Sequence, residues 1–310
     1  ASPEASSRTI HDAVRHRVAD LDGPVHYLDF GGTGSTALLV HGLGGSAINW
    51  MAVGPEMART HRVLAIDLAG FGRTPLFNRS ATVGANTGLV HDFIERVVGE
   101  PVLLVGNSMG GHISIIEAAD HPDAVSSLVL VDAAVAGARM RRFEPLMVGA
   151  LAAISVPALG PVMFDRRIRR QDPYDLTMQT LRLVCADASR VDQDVVDAHV
   201  NLTRERSHLG RQNTRAFVQA FRSIGFRVAD PRFWSKVARV KAPALIMHGR
   251  LDRVVPLSAA LELGRRRPDW KLEILEGVGH VPMLEAPDLF MRVLGEWSAY
   301  RIPSEPAAVS

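Results

Sequence analysis

Cysteine is nearly absent from this 310-residue chain: Cys185 stands alone. An intramolecular disulfide is thereby excluded, and the burial of apolar side chains must hold the fold. Lysine is almost as scarce, with only Lys236, Lys241 and Lys271, and aromatic residues make up 6% of the chain. A strong charge of either sign is missing as well. The 35 Lys and Arg nearly balance 33 Asp and Glu, for a formal net charge of +2. Despite a sequence pI near 9.0, there is no basic excess of the kind that reads phosphate, and no nucleic-acid partner is expected. Five arginines, Arg141, Arg142, Arg167, Arg169 and Arg170, crowd one region and are read as a solvated rim.

Other absences narrow the chemistry. Neither paired cysteines nor a His-x-x-x-His spacing occurs and the acidic residues sit singly, so no metal and no cofactor is expected. Gly31-Gly32-Thr33-Gly34 lacks the Gly-Lys-Ser/Thr ending of a phosphate loop and precedes a strand, which makes it a turn. Internal repeats and low-complexity segments are missing. No signal-peptide pattern opens the chain, yet it begins Ala1-Ser2-Pro3 without Met. Cytoplasmic residence is the first expectation, with secretion the alternative if a leader once preceded Ala1. Oligomeric state is not written in the sequence.

What is present is the composition of a folded globular protein, 47% hydrophobic and 22% charged. Short β-branched or Leu-rich runs alternate with helical patterns, the signature of a mostly parallel sheet covered by helices on both faces. Strands are expected near 25–30, 37–40, 62–66, 102–105, 128–131, 244–247 and 272–275, with a hairpin partner near 15–18. Helices are expected near 54–59, 87–98, 110–121, 257–266 and 288–300. Between 132 and 243 the rhythm breaks into helical periodicity with no strand signal, too long for a loop. The expected division is a core of 1–134 and 236–302, an inserted helical cap of 135–235 and a loose tail of 303–310. The uncharged stretch 146–164 is long enough to raise a membrane-span reading, but Gly149, Pro157, Gly160 and Pro161 interrupt it. It is read as apolar cap helices, which suit a lipophilic substrate, with no stable membrane span.

The chemistry centres on Gly106-Asn107-Ser108-Met109-Gly110, where an apolar strand runs through Gly-x-Ser-x-Gly directly into a helix. Such a turn lifts the serine hydroxyl above the carboxyl edge of a sheet, and glycines let neighbouring backbone approach. A serine hydroxyl needs a base. His280, in Gly277-Val278-Gly279-His280, follows the last expected strand and so reaches the same edge; His248, at the end of the preceding strand, is the rival. The acid that orients the histidine is expected to be Asp252, in the loop after the penultimate strand, with Asp132 the alternative. An oxyanion hole needs two backbone donors. Met109 N–H offers one, and Leu43 N–H the other, from His41-Gly42-Leu43-Gly44-Gly45, with Gly44 as runner-up. Gly42, Gly44, Asn107 and Val281 are expected to contact substrate, and His41 to shape its loop.

The set His41-Gly42, Asp67-Leu68-Ala69-Gly70-Phe71-Gly72, Gly106-Asn107-Ser108-Met109-Gly110, Asp252 and Gly279-His280 resembles the α/β-hydrolase superfamily over about residues 25–300. The resemblance implies an eight-stranded, mostly parallel sheet with a lid after the sixth strand. Serine rather than aspartate at the turn argues against the haloalkane dehalogenases and epoxide hydrolases of that superfamily. Acyl transfer to water remains. The first expectation is a carboxylesterase or lipase acting on a lipophilic small-molecule ester. The Gly-Asn-Ser-Met-Gly-Gly string is also similar to that of meta-cleavage-product hydrolases, which cut carbon–carbon bonds; those usually follow the histidine with Trp, where this chain has Val281-Pro282-Met283. A cofactor-free haloperoxidase would use the same residues, and a non-catalytic ligand receptor is the alternative of another class.

Overall fold

The computed structural model describes residues 14–136 and 170–301, together with Arg166, and the side chains through Trp297. The stretch 146–164 and four of the five crowded arginines lie outside the described residues. Eight strands form one sheet: β1 (Arg15–Asp20), β2 (Pro24–Gly31), β3 (Thr36–Val40), β4 (Arg62–Ile66), β5 (Val102–Asn107), β6 (Val125–Val131), β7 (Ala244–Gly249) and β8 (Lys271–Leu275). The helices are α1 (Gly54–Met57), α2 (Val83–Phe93), α3 (Met109–Asp120), α4 (Pro173–Val184), α5 (Gln193–Ser207), α6 (Arg211–Ala229), α7 (Phe233–Arg239), α8 (Leu257–Arg266), α9 (Pro282–Glu285) and α10 (Pro287–Arg301). A π-helical turn, Ile94–Val98, extends α2 to about the length the sequence suggests.

The sheet order is β1-β2-β4-β3-β5-β6-β7-β8. β2 runs antiparallel to both its neighbours, and every other pair is parallel. β3, β5 and β7 are buried along their whole length, as continuous apolar strands between two helical layers should be. Strand periodicity divides them between two cores. Leu38, Val40, Leu64, Ile66, Leu104, Leu128 and Ile246 face the layer containing α2, α3 and α8. Ala37, Leu39, Val63, Leu103, Val105, Val129 and Met247 face the other, with Trp50, Phe290 and Leu294. Each fully buried Leu, Ile or Val contributes roughly 1.5–3 kcal/mol, which is how a chain without disulfides is held. Edge strand β1 is mostly exposed and carries Arg15, His16 and Arg17, polar groups that discourage edge-to-edge pairing.

Between β6 and β7 the described residues are helical, as the broken rhythm suggests: α4, α5 and α6 stand in the inserted segment. The core boundary expected at 236 falls inside α7, whose Phe233 ring stacks on His112 of α3 at 4.0 Å. That helix packs with the core layer, and the periodicity that continues from α6 conceals the change of partner. Asp132 begins the insertion with a positive φ of 48°. Among the described residues no helix is long and apolar enough to cross a membrane.

His112 and His248 are 0% and 1% exposed, and burial pushes each imidazole down from 6.5 to about 4. Below pH 6.5 the unfolded chain takes up a proton at each site, whereas the folded chain does so only near pH 4. Stability therefore falls as pH drops through that window, by up to about 3 kcal/mol per histidine at its acid end. Urea midpoints measured at pH 7.5 and 4.5 should show this loss, and His112→Gln should reduce the difference.

Candidate active site

β5 does not stop at Val105 but continues to Asn107, so the chain passes from strand to helix across Ser108 alone. Ser108 adopts φ 55° and ψ −116°, a conformation that costs about 1–3 kcal/mol. Backbone bonds hold it there: Ser108 N–H donates to Val131 O at 2.9 Å, and Ser108 O accepts from His112 N at 3.1 Å and Ala134 N at 3.0 Å. A side chain at Gly110 would collide with the carbonyls of Val40 and His41. One at Gly42 would come within 2.9 Å of Ser108 Cβ. Both glycines let the 41–45 loop lie against the serine turn.

His41 shapes that loop through a fixed tautomer. Leu68 N–H donates to its Nε2 at 3.0 Å, so Nδ1 carries the proton and donates to Gly42 O at 2.7 Å. Burial holds its pKa down, consistent with a neutral ring. Gly42 O also accepts from Gly45 N at 3.1 Å. Because C=O and N–H of one trans peptide point in opposite directions, anchoring Gly42 O orients Leu43 N–H the other way. Leu43 is partly buried, while Gly44 is exposed with φ 75° and lies against Phe217 of α6. Met109 N–H is a first-turn donor of α3, without an intrahelical acceptor.

His280 Nδ1 and Asp252 Oδ2 are 2.7 Å apart. The carboxylate must accept, which puts the proton on Nδ1 and leaves an Nε2 lone pair to act as a base. Asp252 Oδ1 accepts from Val254 N at 2.6 Å and Val255 N at 3.0 Å, so the carboxylate cannot swing away. Burial pushes the Asp252 pKa up, but the His280 imidazole, His248 and the Val254 N–H outweigh it and leave the pKa below the ordinary value. Asp132, the alternative acid, has no bond to His280. Its Oδ1 accepts from Gly249 N at 2.9 Å, and burial beside the Asp252 charge raises its pKa well above normal. The pKa values of the two buried carboxyls are thus driven in opposite directions, Asp252 toward the ionised form and Asp132 toward the neutral one. His248, the rival base, donates Nε2–H to Val255 O at 3.2 Å and packs at its strand end.

Two residues expected to touch substrate are buried. Asn107 is buried, and its Nδ2 donates to Val131 O at 3.2 Å and His280 O at 3.0 Å, tying the serine turn to the histidine loop. Val281 is 3% exposed and belongs to the core. The amide and the apolar side chain both turn inward, a direction that strand and loop patterns do not encode. Among the described residues, no hydrogen bond joins the Ser108 hydroxyl to His280; such bonds often tighten only with substrate.

Glu285 is a residue that sequence reasoning missed. Fully buried, it accepts from Gly279 N at 2.8 Å, Ala186 N at 3.0 Å and Asp187 N at 2.8 Å, clasping the histidine loop to the end of α4. His280 N also donates to Val184 O at 2.7 Å. A lone Glu five residues after a histidine carries no visible signal. On the other side of the cap, Arg206 of α5 donates to the carbonyls of Gly70 and Gly72.

An eight-stranded sheet with a serine turn, a histidine and a carboxylate on its carboxyl edge, and helices inserted after β6, defines a hydrolase fold. The chain belongs to the alpha/beta hydrolase family, whose model matches residues 37–293. It is 28% identical over 301 residues to the 2-hydroxy-6-oxononadienedioate/2-hydroxy-6-oxononatrienedioate hydrolase 2 of Pseudomonas putida, covering 94% of this chain and 96% of that one. Among solved structures it resembles a membrane phospholipase A, with TM-score 0.72 and 28% identity over 94% of this chain and 88% of the other. It shares its fold with the 2-hydroxy-6-oxo-6-phenylhexa-2,4-dienoate hydrolase of Rhodococcus sp. strain RHA1, with TM-score 0.71 and 21% identity over 92% and 99% of the two chains.

The two carboxyls are separable by experiment. Asp252→Asn should lower kcat by roughly 10³–10⁴-fold, because an amide stabilises the wrong tautomer; Asp132→Asn should stay within about tenfold of wild type. Glu285→Ala should lower the urea-derived stability by about 2–4 kcal/mol, since it strips the side-chain acceptor from three backbone N–H groups.

Proposed function

We propose that this chain is a serine hydrolase that cleaves the carbon–carbon bond beside the ketone of a 2-hydroxy-6-oxo-dienoate-type acid. The observation that carries the reading is the end-to-end similarity to the Pseudomonas putida hydrolase, 94% of this chain against 96% of that one. The substrate named for that relative contains no ester or amide, so hydrolysis there must break a bond next to the ketone. The ester reading drawn first from the sequence becomes the second reading. One observation favours it, the 28% identity to a phospholipase A structure, alongside Val281 in place of the tryptophan usual after the histidine of meta-cleavage-product hydrolases.

In either case Ser108 Oγ attacks the carbonyl carbon while His280 Nε2 takes its proton, and Asp252 steadies the imidazolium. The developing oxyanion is met by Leu43 and Met109 N–H. For the dienoate the 2-hydroxyl proton first shifts to C5, giving the 2,6-dioxo tautomer; the C5 carbon then departs as a conjugated dienolate, protonated by His280, and an alkoxide would be protonated in the same way. Water, deprotonated by His280, then releases the acyl group from Ser108. The pair of backbone donors, the base and the nucleophile are all this chain's own, and no cofactor enters the scheme.

Turnover of a 2-hydroxy-6-oxo-dienoate, followed by the loss of its visible absorption, should exceed turnover of p-nitrophenyl esters of any chain length by at least about tenfold in kcat/KM. The reverse ranking would establish the esterase. Ser108→Ala should lower either activity by roughly 10⁴-fold or more; near-wild-type turnover in that variant sinks both readings, whereas no turnover of either substrate class by the wild type favours the ligand receptor.

A further inference from the structure

The helices α2 and α3 carry a second cluster of chemically able side chains at the ends remote from Ser108. His91 lies in the last turn of α2, and Glu117 and His121 lie four residues apart at the C-terminal end of α3. His121 caps α3 with φ −128° and ψ 67°, and its N–H donates to Glu117 O at 2.8 Å, which keeps the two residues together at that end of the helix. His91 Nδ1 is 2.9 Å from Glu117 Oε1. The His91 and His121 rings stack with centroids 3.7 Å apart and planes 20° from parallel. One donor atom from each of the three residues lies within 4.8 Å of the others.

The charge balance of the group is incomplete. Glu117 is 0% exposed, and its Oε2 has no hydrogen-bond partner. Asp120, in the same turn, is already neutralised by Lys236 at 2.5 Å and Arg239 at 2.6 Å. No such cation pairs with Glu117 among the described residues; burial raises its pKa, and only the two imidazoles oppose that rise. Stacked imidazoles repel when both are protonated, and an orphaned buried carboxylate oxygen is destabilising. One divalent cation would satisfy all three groups.

We propose that His91, Glu117 and His121 form a binding site for a zinc-class divalent cation, its remaining coordination positions taken by water. Ligand atoms about 2.1 Å from one ion, at angles between square and tetrahedral, sit about 3.0–3.4 Å apart. The His91–Glu117 pair already stands close to that separation, with the ion replacing the shared proton. His121 is exposed at the end of its helix and has room to close on the ion. Two imidazoles and a carboxylate suit zinc and its first-row neighbours better than magnesium or calcium, which favour oxygen-only shells. Along α3 the nearest of the three, Glu117, lies nine residues from Ser108, about 13 Å of helix. The ion therefore clamps α2 to α3 and takes no part in hydrolysis. The site stands independently of the proposed activity.

Isothermal titration of zinc chloride into tag-free, chelator-stripped full-length protein at pH 7.5 tests the site, beside His121→Ala and Glu117→Gln. Wild type should bind one equivalent with a rise in thermal midpoint. His121→Ala should lose at least about tenfold in affinity, the range seen even for groups that only support a ligand, while keeping wild-type hydrolytic activity. Cobalt(II) should give visible absorption bands in wild type that disappear in His91→Ala, with circular dichroism reporting that each variant is folded. Zinc binding equally well to wild type and His121→Ala, or not at all at micromolar concentration, overturns the proposal. So does zinc inhibition that persists unchanged in His121→Ala, which would put the ion on His280 or on the Asp132, His248 and Asp252 group instead.

Discussion

The chain has to turn from β5 into α3 across a single residue, and the left-handed φ of 55° at Ser108 is the constraint from which the rest of the site is measured. A residue held there is strained, and it stays only because the surroundings leave no alternative. Val131 fixes its N–H, His112 and Ala134 hold its carbonyl, and Gly42 and Gly110 make room for the loop that lies against it. Asn107, one residue earlier, reaches across to His280 O. Nucleophile turn and base loop are thus joined by a protein hydrogen bond even where the side chains themselves are not.

Electrostatics sorts the acidic residues beneath His280. Asp132 and Asp252 share a buried space that cannot hold two charges cheaply, and the one with more donors keeps its charge. Asp252 has His280 and two backbone N–H groups on its oxygens, whereas Asp132 has the Gly249 N–H and a long approach to His248. Asp252 is the carboxylate bonded to His280 while Asp132 is pushed toward its neutral form, a division that the sequence alone leaves open. Glu285, buried a short distance along the chain, holds the base loop against the cap, so the position of His280 depends on a helix inserted after β6.

Ester and carbon–carbon hydrolysis ask the same things of this edge: a nucleophile, a base of fixed tautomer and two donors for an oxyanion. They differ in the leaving group, which none of these residues distinguishes. The architecture that makes the site general is therefore separate from the architecture that makes it specific.

The strands and helices of the core were legible because burial on both faces demands continuous apolar runs, and glycines mark the turns between them. Ser108, His280 and Asp252 were legible because the ends of parallel strands share one edge, so a serine after one strand, an acid after another and a histidine after the last must be neighbours. Cys185 alone already excluded a disulfide framework. The directions of individual side chains were not legible. Asn107 and Val281 look like substrate contacts in a motif but turn into the interior, Glu285 shows no local pattern, and α7 belongs to the core despite its helical company. The cluster of His91 with Glu117 and His121 escapes any search for paired histidines, because its ligands come from two helices. Local pattern determines which elements form; which side chains meet depends on how those elements pack, and that is decided by contacts between residues far apart in the chain.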